Sequence, residues 1–413
     1  MKRTKILTLI VAALACGALV PLSALAGGID LYEISAPDVG LASAGSAAGA
    51  QDASTLFKNP AGMSLLNGAQ AQTSLQLLYG NVQFSGNSKT QPGGNGDNAI
   101  GALPGTSLFI TYPVTEKLTV GFGTFSYFGL SENYGDIWTG RYYIQNATLL
   151  GLTLMPAASF KVNDWLSIGG GLNAMFGYLN SQVAVKRPLN LPDGQMTIKD
   201  GEWGFGGNAG VMIQPCQGTR IGVNYLSEVK LDFRDKPGFS SNLGSLLAPN
   251  LNLGMTVPQS VMVGVYQELN DQWAIMADVG WQNWHKFGEI AVGVDAGTVT
   301  TTQLHFDDTW HGAIGAQYKA SDKWQFTGGF AYDSSAVSDA NRSVVLPMGE
   351  TYRFGLGALW KYSKSVDLIA GYELAWSGNL PVTQGVGTSR GEVSGTFNNA
   401  FFTFFSLGLN WRF

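Results

Sequence analysis

The chain ends in the stretch FFTFFSLGLNWRF, from Phe401 to Phe413, and this stretch decides the fold class. Every second residue is bulky and apolar, at Phe405, Leu407, Leu409, Trp411 and Phe413. Small or polar residues stand between them, and a period of two is typical of a β-strand with one apolar and one polar face. The pattern predicts the closing strand of a transmembrane barrel, with lipid outside and water inside. This segment alone leaves the last strand of a soluble β-sandwich as the alternative. Trp411 and Phe413 are the candidate signal for the barrel-assembly machinery.

The beginning of the chain has the features of a secretory signal peptide. Lys2, Arg3 and Lys5 precede an apolar run over residues 6–22, and Ala24-Leu25-Ala26 provides small residues at a cleavage site. We therefore expect residues 1–26 to be removed on export. The mature chain then keeps only the cysteine at position 216, so no internal disulfide is expected.

Composition separates the two kinds of membrane protein. Apolar residues make up 45% of the chain, and charged residues only 13%. No run after the signal peptide reaches the roughly 18 apolar residues that a membrane helix needs. A closed barrel is the other structure that satisfies every backbone group in lipid. The net charge of -5 provides no basic surface, so a nucleic-acid partner is not expected.

Short polar turns alternate along the chain with longer loops that are rich in Gly, Asn and Ser. The turns lie at 113–117, 161–165, 214–218, 269–272, 319–323 and 361–365, and the loops near 85–98, 128–141, 186–199, 234–254, 285–300, 334–349 and 377–397. Six turns and seven loops connect fourteen antiparallel strands. Short turns belong on the periplasmic side, so both termini are expected in the periplasm. The spacing predicts strands of roughly 20 residues and a wall roughly 50 Å tall.

The segment from Arg220 to Arg234 shows the alternation most clearly. One face of the predicted strand is apolar, and the other carries the charged residues of the segment. A soluble core would not accept that second face, but a wet lumen would. We therefore expect one continuous strand here, with Val229, Leu231 and Phe233 facing lipid.

The residues before the first strand have a different character. Residues 27–68 lack the period of two, and the stretch from Gly40 to Ala50 consists mostly of Gly, Ala and Ser. A lumen enclosed by fourteen strands is too wide for side chains alone to fill. We predict that residues 27–68 form a compact hatch in the lumen of a barrel over residues 69–413. A disordered periplasmic tail is the alternative.

Several motifs carry a family resemblance. Asn59-Pro60-Ala61-Gly62-Met63 ends the Gly/Ala-rich segment, and further matching stretches lie at 203–210, 225–233, 273–275, 281–287 and 341–347. Asn-Pro-Ala alone would be weak, but this ordered series spans nearly the whole mature chain. It resembles the FadL family of outer-membrane transporters for long-chain fatty acids and other hydrophobic compounds.

The resemblance implies a monomeric fourteen-stranded barrel whose hatch includes Asn59, Pro60, Ala61 and Gly62. It also implies that substrates leave sideways, through an opening where the third strand kinks inward. Gly121 and Gly123 lie in that strand and are our candidates for the kink, because glycine inside a strand can mark a bulge. They could equally save space in a glycine-rich wall.

Two regions are candidates for substrate binding. The loop from Phe239 to Leu253 places apolar residues at helical spacing, which predicts an amphipathic helix with a landing groove or a lid over other loops; these residues are Phe239, Leu243, Leu246 and Leu247. The second region is the lumen face of the strands. Phe402 and Phe404 must point inward if Phe405 faces lipid, and we expect Phe125 and Phe176 to join them.

The resemblance also suggests how a head group is held. Ser126 falls where the family places a hydroxyl on the third strand, and Lys186 and Arg187 fall near its basic partner. A further lysine of the family, before the tenth strand, has no match in Gln303-Leu304-His305. Fewer cations suit an uncharged hydrocarbon as well as a fatty acid.

Taken together, the sequence predicts a passive outer-membrane channel for hydrophobic compounds, with long-chain fatty acids as the first candidate substrate. Monoaromatic hydrocarbons on the same fold are the alternative, and a surface receptor or structural barrel without transport is the second. No Ser–His arrangement, Cys/His cluster or phosphate loop indicates an enzyme, a metal or a cofactor. The expected partners are the substrate, outer-membrane lipid and lipopolysaccharide, and the barrel-assembly machinery.

Overall fold

A computed structural model describes residues 28–187, 191–240, 250–294 and 299–413. The expected signal peptide therefore lies outside the described residues. Within the described residues, three short α-helices, α1 (Ala36–Gly40), α2 (Thr55–Lys58) and α3 (Trp284–Phe287), accompany a 3₁₀ helix at Pro60–Leu65. The strands, in chain order, are β1 (Gly28–Asp30), β2 (Gln70–Asn81), β3 (Phe84–Gly86), β4 (Gly101–Pro113), β5 (Leu118–Asn133), β6 (Asn146–Lys161), β7 (Leu166–Val185), β8 (Gly194–Cys216), β9 (Thr219–Leu226), β10 (Val229–Asp235), β11 (Gly238–Phe239), β12 (Leu251–Val257), β13 (Ser260–Glu268), β14 (Trp273–Gln282), β15 (Glu289–Val294), β16 (Val299–Gln303), β17 (Thr309–Lys319), β18 (Trp324–Asp333), β19 (Thr351–Lys361), β20 (Val366–Gln384) and β21 (Val393–Arg412).

Fourteen of these strands form a closed antiparallel barrel. They are β2, β4 to β9, β13, β14 and β17 to β21, each paired with the next. The last strand closes on the first, from the Gln70–Arg412 pair to the Asn81–Phe401 pair. The predicted strand number and closure are confirmed. Among the described helices, none has the length and apolarity needed to cross a membrane.

The terminal strand presents the two faces that its sequence predicts. Phe405 and Leu407 are 53% and 66% exposed on the outer face. Ser406 and Asn410, which alternate with the apolar residues, are buried on the inner face. Because exposed aromatic and aliphatic side chains recur around the wall, the outer surface suits lipid.

The six predicted turns separate consecutive barrel strands, but the strands are less even than expected. β7 and β8 have 20 and 23 residues, whereas β9 and β13 have only 8 and 9. Eight residues span only about 26 Å. The uniform wall predicted from the spacing is therefore wrong for the middle of the chain, because the outer segments there form a separate sheet.

This second sheet has the order β10-β12-β15-β16. The expectation of one continuous strand from Arg220 to Arg234 is wrong, since the ladder ends at Leu226 and β10 leaves the wall. Leu231 and Phe233 are buried rather than lipid-facing, and a Cβ added at Gly177 on β7 would meet both side chains. The apolar face of β10 therefore packs on the inner side of the wall.

Residues 28–69 lie inside the barrel, consistent with a hatch. The close approach of hatch and wall depends on glycines of the wall. A Cβ at Gly222 would overlap the carbonyl oxygen of Ala47, and one at Gly329 would overlap that of Leu41. Glycine at these wall positions allows the two backbones to touch, which is one reason for the 55 glycines of the chain.

Candidate functional site

Asn59 joins the hatch to the barrel wall. Its side-chain oxygen accepts a hydrogen bond from the Ala61 backbone N–H at 3.1 Å and so caps the 3₁₀ helix. Its amide nitrogen donates to the carbonyl oxygen of Ala47 at 2.7 Å and to that of Val211 on β8 at 3.0 Å. The side chain is fully buried, so one residue satisfies two hatch groups and one wall group.

The next three residues of the motif continue this contact. Pro60 occupies the first turn of the 3₁₀ helix, where a missing N–H costs nothing. The carbonyl oxygen of Ala61 accepts from the Ser159 hydroxyl on β6 at 2.9 Å. A Cβ at Gly62 would come within 3.0 Å of the Ala50 side chain inside the hatch. These residues hold the hatch in place, and their role in gating stays a prediction.

The wall has a gap between its second and third strands, β4 and β5. Their ladder runs from Pro113–Thr119 only as far as Leu108–Thr124. Beyond this point no rung joins them within this fully described stretch, until the Asn133 N–H donates to the carbonyl oxygen of Ala99 at 2.7 Å. We call the gap between residues 100–107 and 125–132 the window.

The third strand is irregular where it borders the window. The β5–β6 register shifts between Ser126 and Phe128, which leaves Tyr127 as an extra residue. The hatch strand β1 pairs with β5 at this point, and the Leu31 N–H donates to the Tyr127 carbonyl at 2.7 Å. The start of the hatch therefore adds a short strand beside the window.

Gly121 and Gly123 lie in the paired part of β5, before the shift. A Cβ at Gly121 would meet the hatch side chains of Leu56 and Met63, and one at Gly123 would meet the ring of Phe109. These two glycines therefore make room for the hatch and for a neighbouring ring. The irregular position itself, Tyr127, lies six residues after Gly121 and four after Gly123.

An aromatic cluster joins the hatch to the third strand. The Phe57 ring lies 4.7 Å from the Phe125 ring and 5.0 Å from the Tyr127 ring, between ring centroids. Phe109 stacks on Phe125 at 5.1 Å. Phe125 faces the lumen as predicted, but the hatch covers it almost completely.

A cavity that is partly open to solvent lies between the start of the hatch and the barrel wall. Phe402 and Phe404 line it, as the alternation in the last strand predicts. Ile100 and Leu130, from the two strands that flank the window, line it as well. The cavity therefore extends to both sides of the window.

The cavity also has a polar end, centred on Arg353 of β19. Its guanidinium pairs with the carboxylates of Glu33 in the hatch, Asp333 at 2.5 Å and Glu373 at 3.3 Å. His311 Nδ1 lies 2.7 Å from the other oxygen of Asp333. This network links the hatch to four strands, β17 to β20, and no local pattern could reveal it because its members are up to 340 positions apart.

Asp30, at the end of β1, borders the same network. Burial, the nearby Asp333 carboxylate and Glu33 raise the pKa of Asp30 to about 7, while Arg353 acts in the opposite direction. The Gln282 amide donates to Asp30 at 2.7 Å. The hatch therefore carries an acid whose charge changes near neutral pH at the edge of the cavity.

Four other candidate residues are not brought to the cavity. Phe176 packs on Trp203, which is 48% exposed on the outer face, so its predicted lumen position is wrong. Ser126 alternates with the inward-facing Phe125 and does not line the cavity. The Lys186 ammonium donates to the Ser389 carbonyl at 2.8 Å, and Arg187 donates to Ser240 at 2.9 Å, just beyond the end of β7. The basic pair is therefore placed away from both Ser126 and the cavity.

The structure describes only part of the segment predicted to form the landing helix. Phe239 lies in the short strand β11, opposite Met196 of β8, and not in a helix. Its backbone extends a sheet edge, which helical spacing could not reveal. Leu243, Leu246 and Leu247 lie outside the described residues, so the groove stays a prediction.

The profile of the family described as outer membrane protein transport protein (OMPP1/FadL/TodX) matches residues 17–413. The chain belongs to this family. It is therefore a bacterial outer-membrane β-barrel of a non-enzymatic family of hydrophobic-compound transport channels. Among the described residues, no group of three or more His, Cys, Asp or Glu could hold a metal ion.

Curated relatives cover most of the chain at low identity. The Salmonella typhi long-chain fatty acid transport protein is 25% identical over 89% of this chain and 92% of its own length. Haemophilus influenzae outer membrane protein P1 is 28% identical over 84% of this chain and 85% of its own length.

Solved structures share the fold. A Pseudomonas aeruginosa FadL homologue superposes with a TM-score of 0.84 at 18% identity, over 94% of this chain and all of that one. The Pseudomonas putida toluene transporter TodX gives 0.69 at 15% identity, over 95% of this chain and 99% of that one.

Proposed function

We propose that this family member takes up long-chain fatty acids passively across the outer membrane. Substrate would collect at the extracellular loops, enter the lumen cavity, pass the displaced hatch and leave sideways through the window. The observation that carries the proposal is the cavity that reaches both strands bordering the window, with Ile100 on one side and Leu130 on the other.

The lining of the cavity supports a hydrophobic substrate. A hydrophobic molecule gains little in a polar pore, but it gains free energy when apolar walls replace water around it. Phe402, Phe404, Leu31 and Leu380 offer such walls. The network around Arg353 gives the opposite end polar character, so the cavity as a whole suits an amphiphile.

The comparisons support fatty acids as the first candidate. The curated relatives include long-chain fatty acid transport proteins, and the fold similarity to the FadL homologue, at a TM-score of 0.84, exceeds that to TodX, at 0.69. Identities near 25% leave the choice of substrate to experiment.

One observation favours monoaromatic hydrocarbons as the second candidate. Arg353 already pairs with three carboxylates, and Lys186 and Arg187 do not line the cavity. Among the described lining residues, no cation remains available for a fatty-acid carboxylate, and an uncharged ring needs none.

Uptake in a strain that lacks its own transporter separates these candidates. We expect expression of the chain to restore uptake of labelled oleate relative to an empty vector. Toluene uptake without oleate uptake would replace the fatty acid by the monoaromatic hydrocarbon. If neither compound enters although the barrel is present and heat-modifiable in the outer membrane, transport is wrong and a display barrel is favoured.

A further inference from the structure

Glu132 is a buried carboxyl group in the cavity wall. It lies on β5, beyond the irregular position at Tyr127, and is only 3% exposed. It lines the cavity together with Leu130 of the same strand. Neither of its carboxyl oxygens has a hydrogen-bond partner among the described residues.

The other polar side chains around the cavity differ in this respect. Asp30 accepts from Gln282 at 2.7 Å, and Asp333 accepts from Arg353 at 2.5 Å. The Thr351 hydroxyl lies 2.9 Å from the Ser377 hydroxyl. Among the described lining residues, Glu132 is the one whose fully buried carboxyl oxygens are left without a partner.

The two neighbouring polar groups that could have served Glu132 are engaged elsewhere. The Tyr134 hydroxyl, two residues along the chain, lies beside the Glu132 carboxyl and donates its hydrogen to the Val344 carbonyl at 3.1 Å, so it can accept from Glu132 but does not donate to it. Arg353 is held by Glu33, Asp333 and Glu373. Because an isolated buried carboxylate is very costly, a carboxyl group in this position is held in its neutral form. A neutral carboxyl offers one O–H donor and a carbonyl acceptor.

We propose that Glu132 binds the uncharged head group of an amphiphile, a hydroxyl or a protonated carboxyl, whose tail lies along Leu130, Ile100 and Phe402. Such a head group both donates and accepts, so it satisfies both sides of the neutral Glu132 carboxyl. This inference rests on the proposed function and names the substrate class within it. A carboxylate head is disfavoured, because Asp30 and Asp333 line the same cavity and no lining cation is free among the described residues.

Matched ligands test the hydrogen bond directly. Full-length protein in amphipol is titrated with labelled dodecan-1-ol and with dodecyl methyl ether, which accepts a hydrogen bond but cannot donate one. The wild type should bind the alcohol about tenfold more tightly, which corresponds to about 1.4 kcal/mol, because the ether leaves the Glu132 carbonyl without a donor. Equal affinities for the two ligands would overturn the proposal.

Two variants separate hydrogen bonding from packing. Glu132→Leu should reduce the alcohol-to-ether ratio to about one, because the side chain no longer hydrogen-bonds. Glu132→Gln keeps a donor and an acceptor without a charge and should preserve the ratio. An unchanged ratio in Glu132→Leu, or a lost one in Glu132→Gln, would overturn the proposal. Heat-modifiable migration confirms that each variant is folded.

A pH series distinguishes the two sources of an uncharged head. Dodecanoic acid should lose affinity relative to the alcohol between pH 5 and pH 8, as it ionises. Binding of the alcohol without the acid at pH 5 would assign the site to alcohols. An acid-to-alcohol ratio that stays constant or rises would overturn the requirement for an uncharged head.

Failure of this inference differs from failure of the proposed function. If the wild type restores oleate or toluene uptake but binds alcohol and ether equally, only the role of Glu132 is wrong. If uptake fails while the ratio behaves as expected, the cavity binds amphiphiles but the protein does not transport them.

Discussion

The side-chain nitrogen of Asn59 lies 3.0 Å from the carbonyl oxygen of Val211, so a single amide spans the boundary between hatch and barrel. The same nitrogen also donates to Ala47 at 2.7 Å. Ala47 belongs to the hatch and Val211 to the wall, and leaving a hydrogen bond unmade at this buried boundary is costly. Asn59 therefore fixes the hatch to the wall together with Ser159, whose hydroxyl donates to the Ala61 carbonyl.

Asn59→Ala should loosen the hatch without unfolding the barrel. It removes the helix cap and leaves two carbonyl oxygens without their donor, at a cost of about 1–3 kcal/mol. We expect higher ion conductance through single barrels in planar bilayers, with unchanged heat-modifiability. Asn59→Asp is the matched control for the cap, since it keeps the acceptor for the Ala61 N–H and loses only the donors. Wild-type conductance in both variants would show that this contact does not hold the hatch.

The wall glycines allow a second test of how the hatch packs against the wall. Gly329→Ala places a methyl group where the Leu41 carbonyl of the hatch lies, whereas nothing lies within 4 Å of a Cβ at Gly312. Forcing the hatch aside should cost about 1–3 kcal/mol. We expect Gly329→Ala to increase proteolysis within residues 28–69 of the folded protein and Gly312→Ala to leave it unchanged. Equal cleavage of both variants would contradict the close packing.

Asp30 should make the pairing of β1 with β5 depend on pH. Because the folded-state pKa of Asp30 is raised from 3.8 to about 7, the seated hatch retains a proton that a released Asp30 gives up. The contribution of Asp30 to the stability of the β1–β5 pairing is full below the ordinary pKa of 3.8. It is lost as the pH rises from 3.8 through about 7. The pairing of β1 with β5 is therefore expected to weaken between pH 5 and pH 8.

The Leu31 amide, which donates to the Tyr127 carbonyl at 2.7 Å, reports this change. Its hydrogen-exchange protection factor, corrected for the intrinsic pH dependence, should fall by about a hundredfold between pH 5 and pH 8 if Asp30 alone controls the pairing. In Asp30→Asn the factor should stay constant, because position 30 no longer ionises. A fall of the same size in that variant would assign the effect to other titratable groups.

Much of the fold could be predicted because it depends on local patterns. The alternation from Phe405 to Phe413 predicted the outer and inner faces of the last strand, and six polar turns predicted the strand number. These features depend on residues that are close together in the chain, so they can be recognised in one sequence without knowledge of distant contacts. The inward position of Phe402 and Phe404 followed from the same alternation.

The rest depends on contacts between distant parts of the chain. Leu231 and Phe233 continue the alternation of β9, yet they pack inside the wall because β10 pairs with β12 instead. Alternation predicts that a strand has two faces, but not which sheet the strand joins. Likewise, Phe176 was predicted to face the lumen. Its pairing with Trp203 of β8, which is exposed on the outer face, shows that it faces outward. Glu132 gave no signal at all, since a missing partner becomes visible only when all its neighbours are placed.

In the proposed route, hydrophobic molecules leave through the window between β4 and β5. Tyr127 is the extra residue of the irregular third strand, so its deletion should pair Ser126 and Phe128 with consecutive residues of β6 and straighten the strand. Tyr127→Ala is the matched control, because it loses the same side chain, including the bond from Asn173 to the Tyr127 hydroxyl, but keeps the extra residue.

The most direct measurement is the uptake of labelled oleate, or of toluene if the wild type takes up only that compound, by cells that express each protein at equal levels in the outer membrane. Deletion of Tyr127 should reduce uptake to the level of the empty vector, whereas Tyr127→Ala should retain most of it. Wild-type uptake by a folded, heat-modifiable deletion variant would contradict exit through the window.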